Sequence, residues 1–202
     1  MVSFPASALL IDNNTYTTDT ATGLDWWDWN LTEGRSYDDV SSQFGQGGEF
    51  EGWRYATLDD VTELYTHAGA NAFNEWSLDN YDAVDTLIDL LGGKKPFSNS
   101  ETKFAWAMYG TPDDNGWVST LGPQIRSDSL ANFDLTGSLN HRTSGGSNPF
   151  GNGLGNALVR NTSIASIPEP SVMLLLSAGL LLPVFRRTTI IKYSLSSHHS
   201  IS

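Results

Sequence analysis

The chain has 202 residues, no cysteine and a formal net charge of −12. This length suits one domain with one substantial core, held by packing alone because no disulfide can form. Residues 1–167 carry 22 acids and 8 bases, a net of −14, which repels nucleic acid and anionic lipid but leaves room for divalent-cation contacts.

Met1 to Ala8 has neither a basic start nor an apolar run of signal-peptide length, yet Ala6-Ser7-Ala8 is a small-residue cleavage pattern. Residues 1–8 therefore read as the remnant of a signal peptide, with the mature domain over 9–166. Leu9 to Asp12 and Thr15 to Thr18 read as short strands around the turn signal Asn13-Asn14. After Thr22-Gly23 comes Leu24-Asp25-Trp26-Trp27-Asp28-Trp29. Strand alternation places Leu24, Trp26 and Asp28 on one face and Asp25, Trp27 and Trp29 on the other. Tryptophan this dense serves as core or as an exposed aromatic platform, which makes Trp27 and Trp29 candidate ligand contacts.

Ser36 can cap a helix running through Val40 to Phe44, with Asp39 at its third position, and Gly45, Gly47 and Gly48 end it. Glu49 and Glu51 flank Phe50 as an acidic loop or a carboxylate pair. Gly52 to Ala56 reads as a strand. Thr57 then caps a second helix with Asp59 and Asp60 in its first turn, an apolar stripe of Leu58, Val61, Leu64 and Tyr65, and Gly69 as its stop. His67 in its last turn suits the negative helix end. A third helix spans about Asn80 to Leu91, with Ala83, Leu87, Leu90 and Leu91 inward. Strands follow at Phe104–Tyr109, Trp117–Leu121, Leu130–Leu135 and Ala157–Val159, and Ser144 to Asn156 reads as a loop. Strands, helices, then strands describe an α+β domain with a small antiparallel sheet and two to three helices.

Little in this domain announces chemistry. Asp113-Asp114-Asn115-Gly116 offers three oxygen-bearing side chains to a hard cation or ligand, so Asp113 and Asp114 are candidate contacts. The same residues suit a type I′ hairpin turn. No nucleophile elbow, zinc-protease motif, EF-hand loop or phosphate cradle is present, and the adjacent His198-His199 do not complete a tetrahedral shell. The expectation is a non-enzymatic protein with no cofactor and no metal.

The C-terminal part is more telling. Pro168-Glu169-Pro170 precedes an uncharged run, Val172 to Phe185, which is closed by Arg186-Arg187. The run contains Val172, Leu174, Leu175, Leu176, Leu180, Leu181 and Leu182, and reads as a hydrophobic helix. Fourteen helical residues span about 21 Å against a bilayer core of about 30 Å, so the run is short for a permanent span. The arginines stay on the cytoplasmic side and place the N-terminal bulk outside. This order resembles the PEP-CTERM sorting signal over residues 167–187. The resemblance implies recognition by an exosortase in the inner membrane of a Gram-negative bacterium. It further implies a transient membrane anchor, cleavage near Pro168–Pro170 and release to the cell surface or extracellular matrix. Residues 188–202 run on past the basic stop as a disordered tail, where such signals usually end.

A second resemblance covers most of Leu9 to Asn161. Thr22-Gly23-Leu24-Asp25-Trp26, then Gly52-Trp53-Arg54-Tyr55-Ala56-Thr57 feeding a helix, then Ala157-Leu158-Val159-Arg160, is similar to bacterial domains with a C-type-lectin-like fold. That fold implies that the first and last strands pair, so Leu9–Thr18 and Ala157–Asn161 should lie close together, with Trp26 and Trp53 buried. The calcium-ligand Trp-Asn-Asp triplet of the sugar-binding lectins is absent, so their calcium-dependent binding does not carry over. The expectation is an exported binding or structural module of the cell envelope, with exopolysaccharide as a candidate partner and no nucleic acid. The alternatives are a secreted polysaccharide-acting hydrolase and a simple C-terminally anchored membrane protein.

Overall fold

The computed structural model describes residues 9–93, 102–126, 128–142 and 154–162. They form an α+β unit of two sheets and three helices. The first sheet has the order β1 (Leu10–Asp12), β2 (Tyr16–Asp19), β3 (Leu24–Trp27), β10 (Leu158–Asn161) and β4 (Arg54–Tyr55), all antiparallel. In the second, β7 (Trp117–Ile125) is central. It pairs with β8 (Ala131–Asn140) on one side and with β5 (Lys103–Phe104) and β6 (Trp106–Tyr109) on the other, and β9 (Leu154–Asn156) runs parallel to β6.

The last strand joins the N-terminal sheet but pairs with β3 and β4, so the expected pairing of first and last strands is not observed. Two strands, β2 and β3, lie between it and the first strand, β1. The β9 segment lies where a loop was read, and β7 and β8 run on past their expected ends. Pro123 obscured the first of these extensions. Its missing N–H falls beside Ala105, at the break between β5 and β6, where one bond stands in place of a pair: the Ala105 N–H donates to the Pro123 carbonyl.

The helices form where their caps predict. In α1 (Tyr37–Ser41) the Ser36 hydroxyl accepts from the Asp39 N–H, but the helix stops before Phe44. In α2 (Leu58–Ala68) Thr57 and Asp60 make a reciprocal capping box, and Gly69 closes the helix at φ 101°. Burial pushes the Asp60 carboxyl up, but bonds from Arg54 and Thr57 outweigh it and leave the group below its usual range. Leu58 is not part of the buried stripe: at the first helical position it is 51% exposed. In α3 (Tyr81–Leu90) Val84 and Ile88 join Ala83 and Leu87 inside, while Leu90 is half-buried.

Three apolar clusters hold the unit. The largest packs Leu24, Trp26 and Val159 from the first sheet and Leu121 and Phe133 from the second against Leu64, Tyr65, Leu87 and Leu91. The opposite face of the first sheet carries an aromatic layer of Phe50, Trp53, Tyr55 and Leu158, with Trp27, Tyr37 and Phe44 against it. Trp106, Met108, Val118 and Leu154 fill the third. Alternation thus sends Trp26 and Trp27 to opposite faces as read. Trp29 departs from it, because the chain leaves β3 for a 3-10 turn, Trp29–Thr32, which drives this indole into the main core at 1% exposure. Among the described residues no helix is long and apolar enough to cross a membrane. The hydrophobic run Val172–Phe185, its flanking motifs and the tail lie outside the described residues.

Candidate functional site

The two sheets are joined by a short piece of backbone. Between β9 and β10 a single residue, Ala157, carries the chain from one sheet to the other. Its N–H donates to the Met108 carbonyl, its carbonyl accepts from Ala56, and the Ala56 carbonyl accepts from Gly110. Around this junction lies a cleft of about 540 Å³, lined by Tyr37, Phe44, Arg54, Tyr55, Leu58 and Thr111 among others. Thr111 also borders a second hollow of about 430 Å³, with Asp113, Trp117, Val118, Ser119 and Ser138.

The first hollow has an aromatic wall. Tyr37 stacks on Tyr55 with ring centroids 3.9 Å and planes 11° apart, and Phe44 meets Tyr55 edge-on at 5.5 Å. The Tyr37 hydroxyl donates to the Gly110 carbonyl at 3.2 Å. The Tyr55 hydroxyl donates to Asn156 Oδ1 at 2.6 Å. Burial pushes both phenols above their ordinary values, so they act as neutral donors, not bases. Arg54 at the rim makes a fork to Asp60, Nη1 to Oδ2 at 2.6 Å and Nη2 to Oδ1 at 3.2 Å. Its charge is thereby matched within the protein.

Asn156, fully buried, holds this wall in place. Its backbone N–H donates to Thr32 Oγ1 at 2.7 Å, and its side-chain amide reaches the carbonyls of Thr32 and Arg35 while accepting from Tyr55. Next to it, a Cβ on Gly155 would sit 1.9 Å from the Trp29 carbonyl oxygen, so only glycine lets β9 approach the 3-10 turn this closely.

The second hollow is built on the β7–β8 ladder. Ser119 and Ser138 are cross-strand partners, and Trp117 lies two residues from Ser119, on the same face. Trp117 is 48% exposed. Asp113 closes the end: its Oδ1 accepts from the Asn115 and Trp117 N–H groups, and its carbonyl accepts from Gly116. The turn reading of Asp113–Gly116 is thus the observed one, with one change. Gly116 has φ 79° and Asn115 is not left-handed, so the turn is type I followed by a left-handed glycine, not type I′.

The expected contacts are therefore only partly together. Asp113 lines the hollow beside Trp117, a residue the sequence reading placed in a strand and nothing more; Asp114 is exposed on the turn. Trp29 is withdrawn as a contact because it is core. Trp27 is half-buried and makes T-shaped contacts with Trp53 at 4.9 Å and Phe50 at 5.5 Å, so it is engaged in the aromatic layer.

Other polar groups are engaged elsewhere. His67 Nδ1 pairs with buried Asp19 at 2.7 Å and His141 Nδ1 with Asp38 at 2.5 Å. No Ser or Thr hydroxyl bonds to either ring among the described residues. Glu49 is bound by Arg35 at 2.7 Å and Glu51 by the Gly47 N–H at 2.8 Å. Among the described residues no three His, Cys, Asp or Glu side chains gather as metal ligands. The second hollow offers an indole, three hydroxyls and a carboxylate, groups that recognise a polyhydroxylated ligand by stacking and hydrogen bonding. No family model, no curated protein and no solved structure matches the chain.

Proposed function

We propose that the chain is an exported bacterial surface or extracellular-matrix protein whose described unit is a non-enzymatic module that binds extracellular polysaccharide. In this reading Pro168–Pro170, the run Val172–Phe185 and Arg186-Arg187 form a PEP-CTERM-type signal through which an exosortase delivers it from a transient inner-membrane anchor. The observation that carries the binding role is the half-exposed Trp117 in one hollow with Asp113, Thr111, Ser119 and Ser138. A flat indole accepts the C–H face of a sugar ring, and the polar groups around it fix the hydroxyls. A C-type-lectin-like fold is supported by the three helices and by a last strand that returns to the N-terminal sheet.

The test is a glycan array probed with the full chain and with Trp117→Ala, followed by titration of the best ligand. The expected result is binding that the substitution weakens at least tenfold while the melting temperature is unchanged. Equal binding by the variant refutes this site. Release of reducing ends from any bound glycan refutes the non-enzymatic reading and favours the hydrolase.

A further inference from the structure

Away from the cleft, one acidic side chain is held where it bonds to nothing. Asp28 is 8% exposed, and its Oδ1 is buried without a hydrogen-bond partner. It sits at the cap position of the 3-10 turn, yet its side chain caps nothing. Among the described residues no Lys, Arg or His pairs with it. A buried carboxylate in this state is costly, and natural structures seldom keep one without a counter-charge.

The surroundings add negative charge. Asp12 lies opposite Thr17, and Thr17 opposite Trp26. Asp28 follows Trp26 by two residues, and its N–H continues the ladder to the Thr15 carbonyl. Strand alternation therefore puts Asp12, Thr17, Trp26 and Asp28 on one face. The carboxyl end of α3 arrives on the same face: Thr17 Oγ1 donates to the Leu90 carbonyl at 3.2 Å and the Trp29 N–H to the Leu91 carbonyl at 3.0 Å. The last turn of α3 has no basic residue to balance its dipole. Burial and the charge on Asp12 together push the Asp28 carboxyl up to about 6. Asp12 offers only one engaged oxygen, its Oδ1, which accepts from the Asn14 N–H at 2.7 Å.

We propose that Asp12 and Asp28, at the carboxyl end of α3, bind one hard divalent cation of the calcium type. Two carboxylates supply oxygen ligands from the protein, and water completes the shell. With so few protein ligands the affinity falls in the weak range of extracellular calcium modules, about 10⁻⁴ to 10⁻³ M. Bound there, the ion gives the orphaned oxygen its partner, relieves the repulsion between the two acids and ties the β1–β2 hairpin to β3.

Terbium tests this directly, because it replaces calcium and its emission is sensitised by tryptophan within a few ångströms; Trp27 and Trp29 flank Asp28. The full chain should give saturable terbium emission excited through tryptophan, displaced by calcium at about millimolar concentration. Asp28→Asn and Asp12→Asn should each weaken binding at least tenfold, whereas Asp59→Asn, at an exposed acid, should leave it unchanged. A calcium concentration ten times the dissociation constant should also raise the folded-to-unfolded ratio about elevenfold, and sodium chloride at matched ionic strength should not. Emission retained in Asp28→Asn, or no saturable binding below about 10 mM calcium, overturns the proposal. Asp12 is exposed and Asn keeps its oxygen acceptor, so that variant carries the test even where Asp28→Asn perturbs folding.

Discussion

Asp28 should impose a pH dependence on stability whose sign is opposite to that of an ordinary carboxylate. In the folded chain its carboxyl lies at about 6, against 3.8 for an unperturbed aspartate, with burial the larger cause and Asp12 the smaller. Between those two values the folded state holds the proton more tightly than the unfolded state. Its contribution to stability is therefore present at acid pH and lost as pH rises towards 6. A difference of about two units at about 1.36 kcal/mol each makes the ionised group destabilising by about 3 kcal/mol at neutral pH. Asp28→Asn imitates the neutral acid at every pH. Urea unfolding of both proteins in chelator from about pH 4 to pH 8 isolates the effect, since groups such as Asp60 cancel in the difference. The variant should match the natural chain near pH 4 and exceed it by about 3 kcal/mol above pH 7. A difference that stays flat within about 0.5 kcal/mol across this range would show that Asp28 is solvated or paired, and would refute the reasoning.

Trp53→Ala should cost about 3–5 kcal/mol in denaturant unfolding, because this 6%-exposed indole packs on Trp27 and beneath the Arg160 guanidinium; a loss under about 1 kcal/mol would place it at the surface. Gly155→Ala should cost about 3 kcal/mol and disturb the cleft, since the new methyl meets the Trp29 backbone and not a movable side chain; unchanged stability would show that β9 has slack. Processing near Pro168 is expected in an exosortase-bearing host supplied with a complete signal peptide. Intact mass spectrometry of the released protein reads it, and full-length chain in the membrane fraction, still carrying Arg186-Arg187, would favour the simple anchor.

The helices were legible because their signals are local. Ser36 with Asp39, and Thr57 with Asp60, announce helix starts within four residues, and Gly69 announces an end. The alternation of Leu24, Trp26 and Trp27 was legible for the same reason. What failed did so where a neighbour distant in sequence overrides the local pattern. Trp29 reads as the next outward strand residue, but the 3-10 turn redirects it into the core. Leu58 fits the helical stripe by spacing, yet it sits at the helix start beside the cleft, where nothing covers it. The β9 residues look like loop because Gly155 and Asn156 are poor strand formers. The glycine is there for close approach and the asparagine for its amide bonds.

The cleft was illegible for a deeper reason. The first hollow is walled by positions 37 and 55 and the second by 117, with 111 between them, and the junction beside them is carried by backbone groups of Ala56, Gly110 and Ala157. Those three residues have almost no side chain with which to signal their role. The one side chain that clamps the junction, Asn156, bonds residues 101 and 124 positions away, and no periodicity or spacing motif describes such a pairing. Ala157 moves the chain between sheets in a single residue, so β9 and β10 cannot shift independently. Any displacement of β9 moves Asn156 and removes the shorter of the two bonds on the Tyr55 hydroxyl, loosening the ring on which Tyr37 stacks. The shape of the first hollow therefore depends on one buried amide and one methyl-free contact at Gly155. Changes there should reshape this first hollow even though neither residue lines it, and should leave Trp117 in place.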